Sequence, residues 1–305
     1  MPNQRIFLWL AFLFLVWLNV DAWMKDYGSA AQPAAAPATT QAPAATAASG
    51  LTDALPTVAG EPAGAAPAGM AMPAVGATIR VVTDVLDLDV SLTGGDIVRA
   101  DLLDYPQRKD DPNVKVRLFN TDSHDTLYIY QSGLTTGQAG RAEPNHKAQF
   151  TAAAREFRLE PGQDTLSVPL TWTDGQGLSA TKTFVLRPGQ YSIDVFYDVN
   201  NQTPEALPLA PYAQLVRHWM PVERSMFDVE SYAFRGPAVY DGDKYRKLDI
   251  EDEVDQAFSQ SVSGGWVASL QHHFVSAIAP PSTEPYRLAL KVEDKDYLLR
   301  AVGPT

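Results

Sequence analysis

The sequence predicts a mainly β protein, an antiparallel sandwich held by a tether behind one apolar N-terminal helix. Three observations predict it: apolar and polar residues alternate repeatedly after Thr78, an Ala/Pro-rich stretch precedes that region, and an unbroken apolar run opens the chain. The predicted organisation is an anchor over residues 1–27, a disordered Ala/Pro-rich linker over 28–77 and a β-sandwich domain over 78–305.

The apolar run comprises Ile6, Phe7, Leu8, Trp9, Leu10, Phe12, Leu13, Phe14, Leu15, Val16, Trp17 and Leu18, and it reaches Trp23 if Asn19 and Asp21 are admitted. At about 1.5 Å per residue the short version covers roughly 20 Å and the long one about 27 Å, against a hydrocarbon core of about 30 Å. Only the longer version spans, with Trp17, Trp23 and Tyr27 as an aromatic belt and Lys25 snorkelling to the interface. A cleaved signal peptide is the competing reading, because Val20 and Ala22 make a passable cleavage site, although bulky Trp23 follows it. Arg5 precedes the run and no Lys or Arg occurs between Lys25 and Arg80, so the positive-inside rule places the N-terminus in the cytoplasm.

The linker holds too few large apolar residues to offset chain entropy, and its prolines interrupt any helix its alanines begin. On the order of 50 such residues reach on the order of 40 Å as flexible coil. No basic residue accompanies the prolines, which argues against a recognition motif and for a spacer.

After Thr78 the strand pattern is explicit. In "VLDLDVSL", Leu86, Leu88, Val90 and Leu92 face one way and Asp87, Asp89 and Ser91 the other. "TGGD" is a turn, and "IVRADLLDY" begins the return strand. The same alternation recurs in "DTLYIYQSGL", in the long stretch from Thr165 to Asn201, and in "GGWVASLQHHFVSAIAP". Tyr191, Ile193, Val195, Tyr197 and Val199 share one face, opposite Ser192, Asp194 and Asp198, after a Pro188-Gly189 turn. Helical periodicity is confined to two short candidates, "HKAQFTAAAREF" and "DEVDQAFSQ". Many strands at hairpin spacing point to an antiparallel sandwich.

Composition excludes several chemistries. With 24 Lys and Arg against 36 Asp and Glu, the formal charge is -12, which argues against nucleic acid as a partner. The absence of cysteine removes disulfides, thiolate catalysis and Cys-ligated zinc. "GQGLSA", Gly175 to Ala180, matches a loose dinucleotide fingerprint, but a strand follows it where that chemistry requires a helix, so it reads as a hairpin loop. His272 and His273 are adjacent, and adjacent residues of a strand point to opposite faces, so they cannot share one ion without a break in the strand. His124, His146 and His218 are scattered, and a structural or surface role is expected for each. An EF-hand loop starting at Asp241 would need Gly at Arg246 and Glu at Asp252, so the acidic stretch reads as a solvated face or loop. No catalytic, cofactor-binding or metal residue is assigned.

Five blocks in order, "TDVLDLDVSLTGGDI", "YQSGL", "TKTFVLRPGQYSIDVFYDVNN", "YAFRG" and "SGGWVASLQHHFVSAIAP", behind an anchor and tether, resemble the bacterial YidC membrane protein insertases of Gram-negative type. The motif positions are Asp84, Gly94, Gly95, Gln131, Ser132, Gly133, Phe184, Gly189, Tyr191, Phe234, Arg235, Gly236, Gly264, Gly265 and Trp266. The resemblance implies a retained anchor in the inner membrane, a periplasmic β-supersandwich of mutarotase-like fold, and a non-enzymatic role without cofactor. That role is insertion and chaperoning of nascent inner-membrane proteins, alone or with the Sec translocon and its accessory membrane proteins. It places accessory contacts broadly between Tyr212 and Tyr245. It also implies a bundle of five further transmembrane helices with a hydrophilic groove, for which these residues offer no counterpart. The expectation is therefore a chain lacking the insertase core and truncated at the end of its sandwich. A membrane-tethered carbohydrate-binding or mutarotase-like sandwich is the alternative, with acid and base drawn from His272, His273, His218 and nearby carboxylates.

Overall fold

Alternation in the sequence becomes alternation of burial. Strand β2 (Leu86–Ser91) buries Leu86, Leu88 and Val90, while Asp87 and Asp89 lie on its outer face. The carboxylates are not left to water alone. Arg99, on β3 (Ile97–Arg108), pairs with Asp89 at 2.6 Å and Asp87 at 3.1 Å and also with Asp101, and Arg80 on β1 (Thr78–Val82) pairs with Asp87 at 2.7 Å. Asp87 and Asp101 sit directly opposite in the β2–β3 register, and Arg99 neutralises the like-charge contact.

The computed structural model describes residues 51–56, 76–137, 141–221 and 233–305, all within one unit, Ala47–Thr305. The anchor, Ile6 to Leu18, and most of the linker lie outside the described residues. Among the described residues no helix is long and apolar enough to cross a membrane.

The remaining strands are β4 (Asp111–Phe119), β5 (Tyr128–Thr135), β6 (Thr151–Ala152), β7 (Glu156–Arg158), β8 (Leu166–Thr173), β9 (Leu178–Leu186), β10 (Ile193–Asn201), β11 (Ala210–His218), β12 (Gly236–Tyr240), β13 (Tyr245–Lys247), β14 (Ser259–Val262), β15 (Trp266–Gln271), β16 (Phe274–Ile278), β17 (Tyr286–Glu293) and β18 (Asp296–Val302). A ten-stranded sheet runs β14-β17-β18-β11-β5-β3-β2-β1-β7, with β4 paired to β3; two four-stranded sheets run β10-β9-β8-β6 and β13-β12-β15-β16. Pairing is antiparallel apart from β1 with β7.

The two small sheets cover the same side of the long one. Leu88, Leu102, Val168, Leu170 and Phe184 form one core; Leu215, Val239, Val267 and Leu299 belong to the other; Phe119 and Tyr130 touch both. This is the antiparallel sandwich expected from the strand spacing. On the opposite side of the long sheet Val98, Ile129, Val216 and Leu298 enclose Leu51, which is fully buried. Leu51–Asp53 is a 3-10 turn inside the stretch read as linker. One large apolar side chain therefore docks a piece of that stretch on the sheet, and burying it contributes about 1.5–3 kcal/mol.

The helix expected over 146–157 does not form. Phe150 enters the core, its amide donates to the Leu92 carbonyl at 2.7 Å, and β6 and β7 follow. Tertiary burial of one aromatic outweighs the helix preference of a short Ala run. The other candidate yields one turn, α1 (Glu253–Gln256), capped by Asp252. The acidic stretch is exposed loop interrupted by β13 and α1, and its carboxylates cap their own turns: Asp241 accepts from Lys244 N at 2.7 Å and Asp255 from Asp249 N at 2.9 Å.

Candidate functional site

Most of the motif positions in the first half of the domain meet at one place, the turn between β2 and β3 against β5. Gly94 and Gly95 have φ of +74° and +64°, a left-handed turn that a side chain would strain. The turn aims their carbonyls into the space between two sheets. There the Lys182 ammonium donates to Gly95 O at 2.8 Å, Gly94 O at 3.0 Å and Ser132 O at 3.1 Å. Lys182 occupies a core-facing position of β9, in line with Leu178, Ala180, Phe184 and Leu186, and is fully buried.

Asp96 completes the arrangement. Its Oδ2 accepts from Gln131 Nε2 at 2.9 Å; Gln131 also donates to Thr52 O at 3.2 Å and accepts from Gln214 Nε2 at 2.8 Å. Burial pushes the Asp96 carboxyl up and the Lys182 ammonium down, and the opposite charge of each partner resists the shift. The node thus links two sheets through the charge-assisted hydrogen bonds of Lys182 and reaches the docked 51–56 segment through the neutral Gln131 amide. Beside it, Gly133 leaves room for the Tyr212 hydroxyl, which bonds His146 N at 3.0 Å and His146 Nδ1 at 2.6 Å. Burial drives His146 down to about 3.

A cleft of about 1080 Å³ opens between β10, the long sheet and β16. Leu88, Leu102, Tyr130, Ile193, Val195 and Tyr197 are among its lining residues. The Tyr197 hydroxyl donates to Ser132 Oγ at 2.9 Å, joining the cleft to the Lys182 node. At its rim Tyr105 stands 5.4 Å from Phe274 edge-on and 6.0 Å from Tyr191, whose hydroxyl donates to Asp104 at 3.0 Å. Val199, expected to share a face with Tyr191, is 41% exposed, as is Tyr191 itself; β10 is the edge strand of its four-stranded sheet and Tyr191 precedes it.

Other motif positions are structural at separate places. Asp84 accepts from Gly189 N at 2.7 Å, tying the turn before β10 to the turn before β2. A Cβ on Gly265 would stand 2.6 Å from Tyr240 O, Trp266 stacks on Tyr240 at 5.9 Å, and Arg235 O accepts from the Trp219 indole at 3.3 Å. The Phe234 ring lies 3.2 Å from where a Gly236 Cβ would be, with Lys247 Nζ 5.1 Å above it. Gly264 has φ +73°.

The histidines divide differently from the expectation. His272 and His273 are not within a strand but form the two-residue turn between β15 and β16, with His272 at φ +41° and the rings 3.7 Å apart. His273 lines the cleft. His124 and His218, far apart in sequence, share Asp296. The "GQGLSA" segment is the end of the β8–β9 hairpin turn and the start of β9, held by Asp174, which accepts from Gln176 N at 2.7 Å and Leu178 N at 2.9 Å.

Sequence reasoning missed Lys182. The signal was present: a lysine at the centre of an otherwise apolar alternation, where burial is affordable only with partners waiting.

Residues 78–305 match the family model described as YidC periplasmic domain. The chain is 38% identical over 303 residues to "Membrane protein insertase YidC" of Thioalkalivibrio sulfidiphilus (strain HL-EbGR7), covering 92% of this chain and 50% of that protein. It is 34% identical to the protein of the same name from Ectopseudomonas mendocina (strain ymp), covering 100% of this chain and 57% of that protein. The corresponding protein of Shewanella pealeana (strain ATCC 700345 / ANG-SQ1) is 35% identical, with 93% and 50% covered. The chain spans about half the length of these relatives. A crystal structure of a proposed aldose 1-epimerase from Escherichia coli K12 aligns with TM-score 0.39 at 12% identity, covering 74% of this chain and 88% of that one. By the family match over residues 78–305, the chain belongs to the YidC periplasmic domain family.

Proposed function

We propose that the chain is the anchor and periplasmic platform of a membrane protein insertase, assisting insertion and folding of inner-membrane proteins alone or beside the Sec translocon. The observation that carries this reading is the family match over 78–305, joined to relatives that are all named membrane protein insertases and are about twice as long. In this reading residues 1–27 cross the inner membrane with the N-terminus in the cytoplasm, residues 28–77 tether, and residues 78–305 stand in the periplasm. The role is binding and positioning rather than covalent chemistry. The polar node serves the fold: the hydrogen bonds of Lys182 go to backbone carbonyls and hold sheet to sheet, with Asp96 as its countercharge.

Accessory contacts, expected between Tyr212 and Tyr245, cannot use the middle of β11, which lies inside the long sheet between β5 and β18. Met220 and Tyr245 are 54% and 47% exposed and mark the part of that stretch open to a partner. Of the histidines that a sugar-epimerising site would draw on, His273 lines the cleft, while His218 is engaged with Asp296 and does not.

The test is site-specific photocrosslinking in the membrane-integrated protein, with the probe at Phe196 or Val275 on the cleft rim and at Met220 or Tyr245. Adducts with nascent inner-membrane proteins or Sec components are expected. Absence of any such adduct at all four positions, with the protein correctly inserted, would overturn the proposal.

A further inference from the structure

Three elements bring four metal-ligating side chains to one end of the long sheet. His218 is the last residue of β11 and Asp296 the first of β18, and they stand directly opposite in the register of that antiparallel pair. The 3-10 turn His124–Thr126, between β4 and β5, is fastened there by the His218 amide, which donates to Leu127 O at 2.9 Å. His218 Nδ1 lies 2.6 Å from Asp296 Oδ1, and His124 Nε2 lies 3.1 Å from Asp296 Oδ2. The two rings are 4.5 Å apart at 55°. One donor atom each from His124, Asp125 and His218 lies within 4.8 Å of the others.

We propose that His124, His218 and Asp296, with Asp125 at the solvent edge, form a binding site for a divalent transition-metal ion, zinc foremost. The set is two imidazole nitrogens and carboxylate oxygens, the ligand chemistry zinc takes. Ligands about 2.0–2.2 Å from a tetrahedral ion stand roughly 3.3–3.6 Å from one another, which small rotations of these side chains reach. Charge argues the same way. The Asp296 side chain is 6% exposed, yet among the described residues its side-chain partners are two imidazoles and no Lys or Arg. A divalent ion would place a positive charge beside this buried carboxylate. Access exists as well, since the His124 side chain is 38% exposed and Asp125 is exposed. A bound ion would clamp the β17–β18 hairpin to the β4–β5 connection.

The experiment uses the full chain in detergent, purified without a polyhistidine tag. Zinc chloride is titrated against a chromophoric chelator, and cobalt(II) replaces zinc for visible absorption. Expected are one zinc per chain, a cobalt d–d band of tetrahedral intensity, and binding at least about tenfold weaker in His124→Ala and in His218→Ala. The double variant His272→Ala/His273→Ala should bind as the parent does. His124 is partly exposed, so His124→Ala is the variant expected to keep its melting profile. If His218→Ala unfolds, the parent titration and His124→Ala decide alone. A parent chain that takes up no stoichiometric zinc, or a folded His124→Ala that binds it equally well, overturns the site and leaves a His–Asp–His hydrogen-bond cluster.

Discussion

The Lys182 ammonium reaches across from one sheet to the Gly95 carbonyl of another, 2.8 Å away. A fully buried lysine is tolerable only when its three donors and its charge are matched, and here three carbonyls and the Asp96 carboxylate do the matching. The "GGD" turn is therefore a receptor for a side chain from the facing sheet, and its two glycines and one aspartate act as a unit.

Lys182→Met should destabilise the domain by roughly 3–5 kcal/mol, because it leaves Asp96 buried without its countercharge and three carbonyls without a donor. Lys182→Met/Asp96→Asn should lose less than the sum of the two single variants, since the double variant removes both charges. Urea unfolding of the four proteins of this cycle measures it. Additive losses would mean that the two groups are not coupled.

Gly94 and Gly175 separate backbone strain from crowding. Both have positive φ, +74° and +72°. An added Cβ at Gly175 meets nothing within 4 Å, whereas at Gly94 it collides with the His146 carbonyl. Gly175→Ala should cost about 1 kcal/mol, the conformational penalty alone. Gly94→Ala should cost clearly more, read as a lower urea midpoint, and equal losses would refute the crowding argument.

The strands were legible because burial on one face forces period-two alternation, and "VLDLDVSL" and "LSATKTFVL" carry it without ambiguity. The docked turn was not legible, because Leu51 is one large apolar residue in an Ala/Pro field and no periodicity marks a single contact. His124, His218 and Asp296 were not legible as a cluster either, since the register of β11 with β18 and the docking of the His124–Thr126 turn beside it bring them together. The motif positions around Gly94 and Ser132 were visible as sequence blocks, but their common purpose appears only with Lys182 between them.

His146 should make stability depend on pH with a defined sign. Its folded value is about 3, pushed down by burial, so the unfolded chain takes up a proton below about 6.5 while the folded chain does not. The stabilisation is complete above that value and is lost as pH falls toward 3. Asp96 works against this, because burial raises its value and the folded state holds the extra proton there. Comparison with His146→Gln cancels the Asp96 contribution. The stability of the parent relative to that variant should fall by on the order of 1.4 kcal/mol per pH unit between about 6 and 4. Parallel pH profiles would sink the assignment.

Leu51 offers the sharpest check on how the tether stretch meets the domain. Val98, Leu127, Ile129, Val216 and Leu298 surround it completely, and the carbonyls on either side of Asp53 accept from the sheet, Thr52 O from Gln131 and Ala54 O from Arg300 at 3.4 Å. Leu51→Ala would leave a cavity bounded by strands that cannot close over it, at a cost of about 2–5 kcal/mol. Leu55, four residues on, is 39% exposed, and Leu55→Ala should change stability by less than about 0.5 kcal/mol. Urea midpoints of the two variants compare the same chemical deletion at a docked and an undocked position of one short segment. Equal and small effects would show that 51–56 does not pack on the sheet; a large effect at Leu51 alone would fix residues 51–56 at the back of the long sheet.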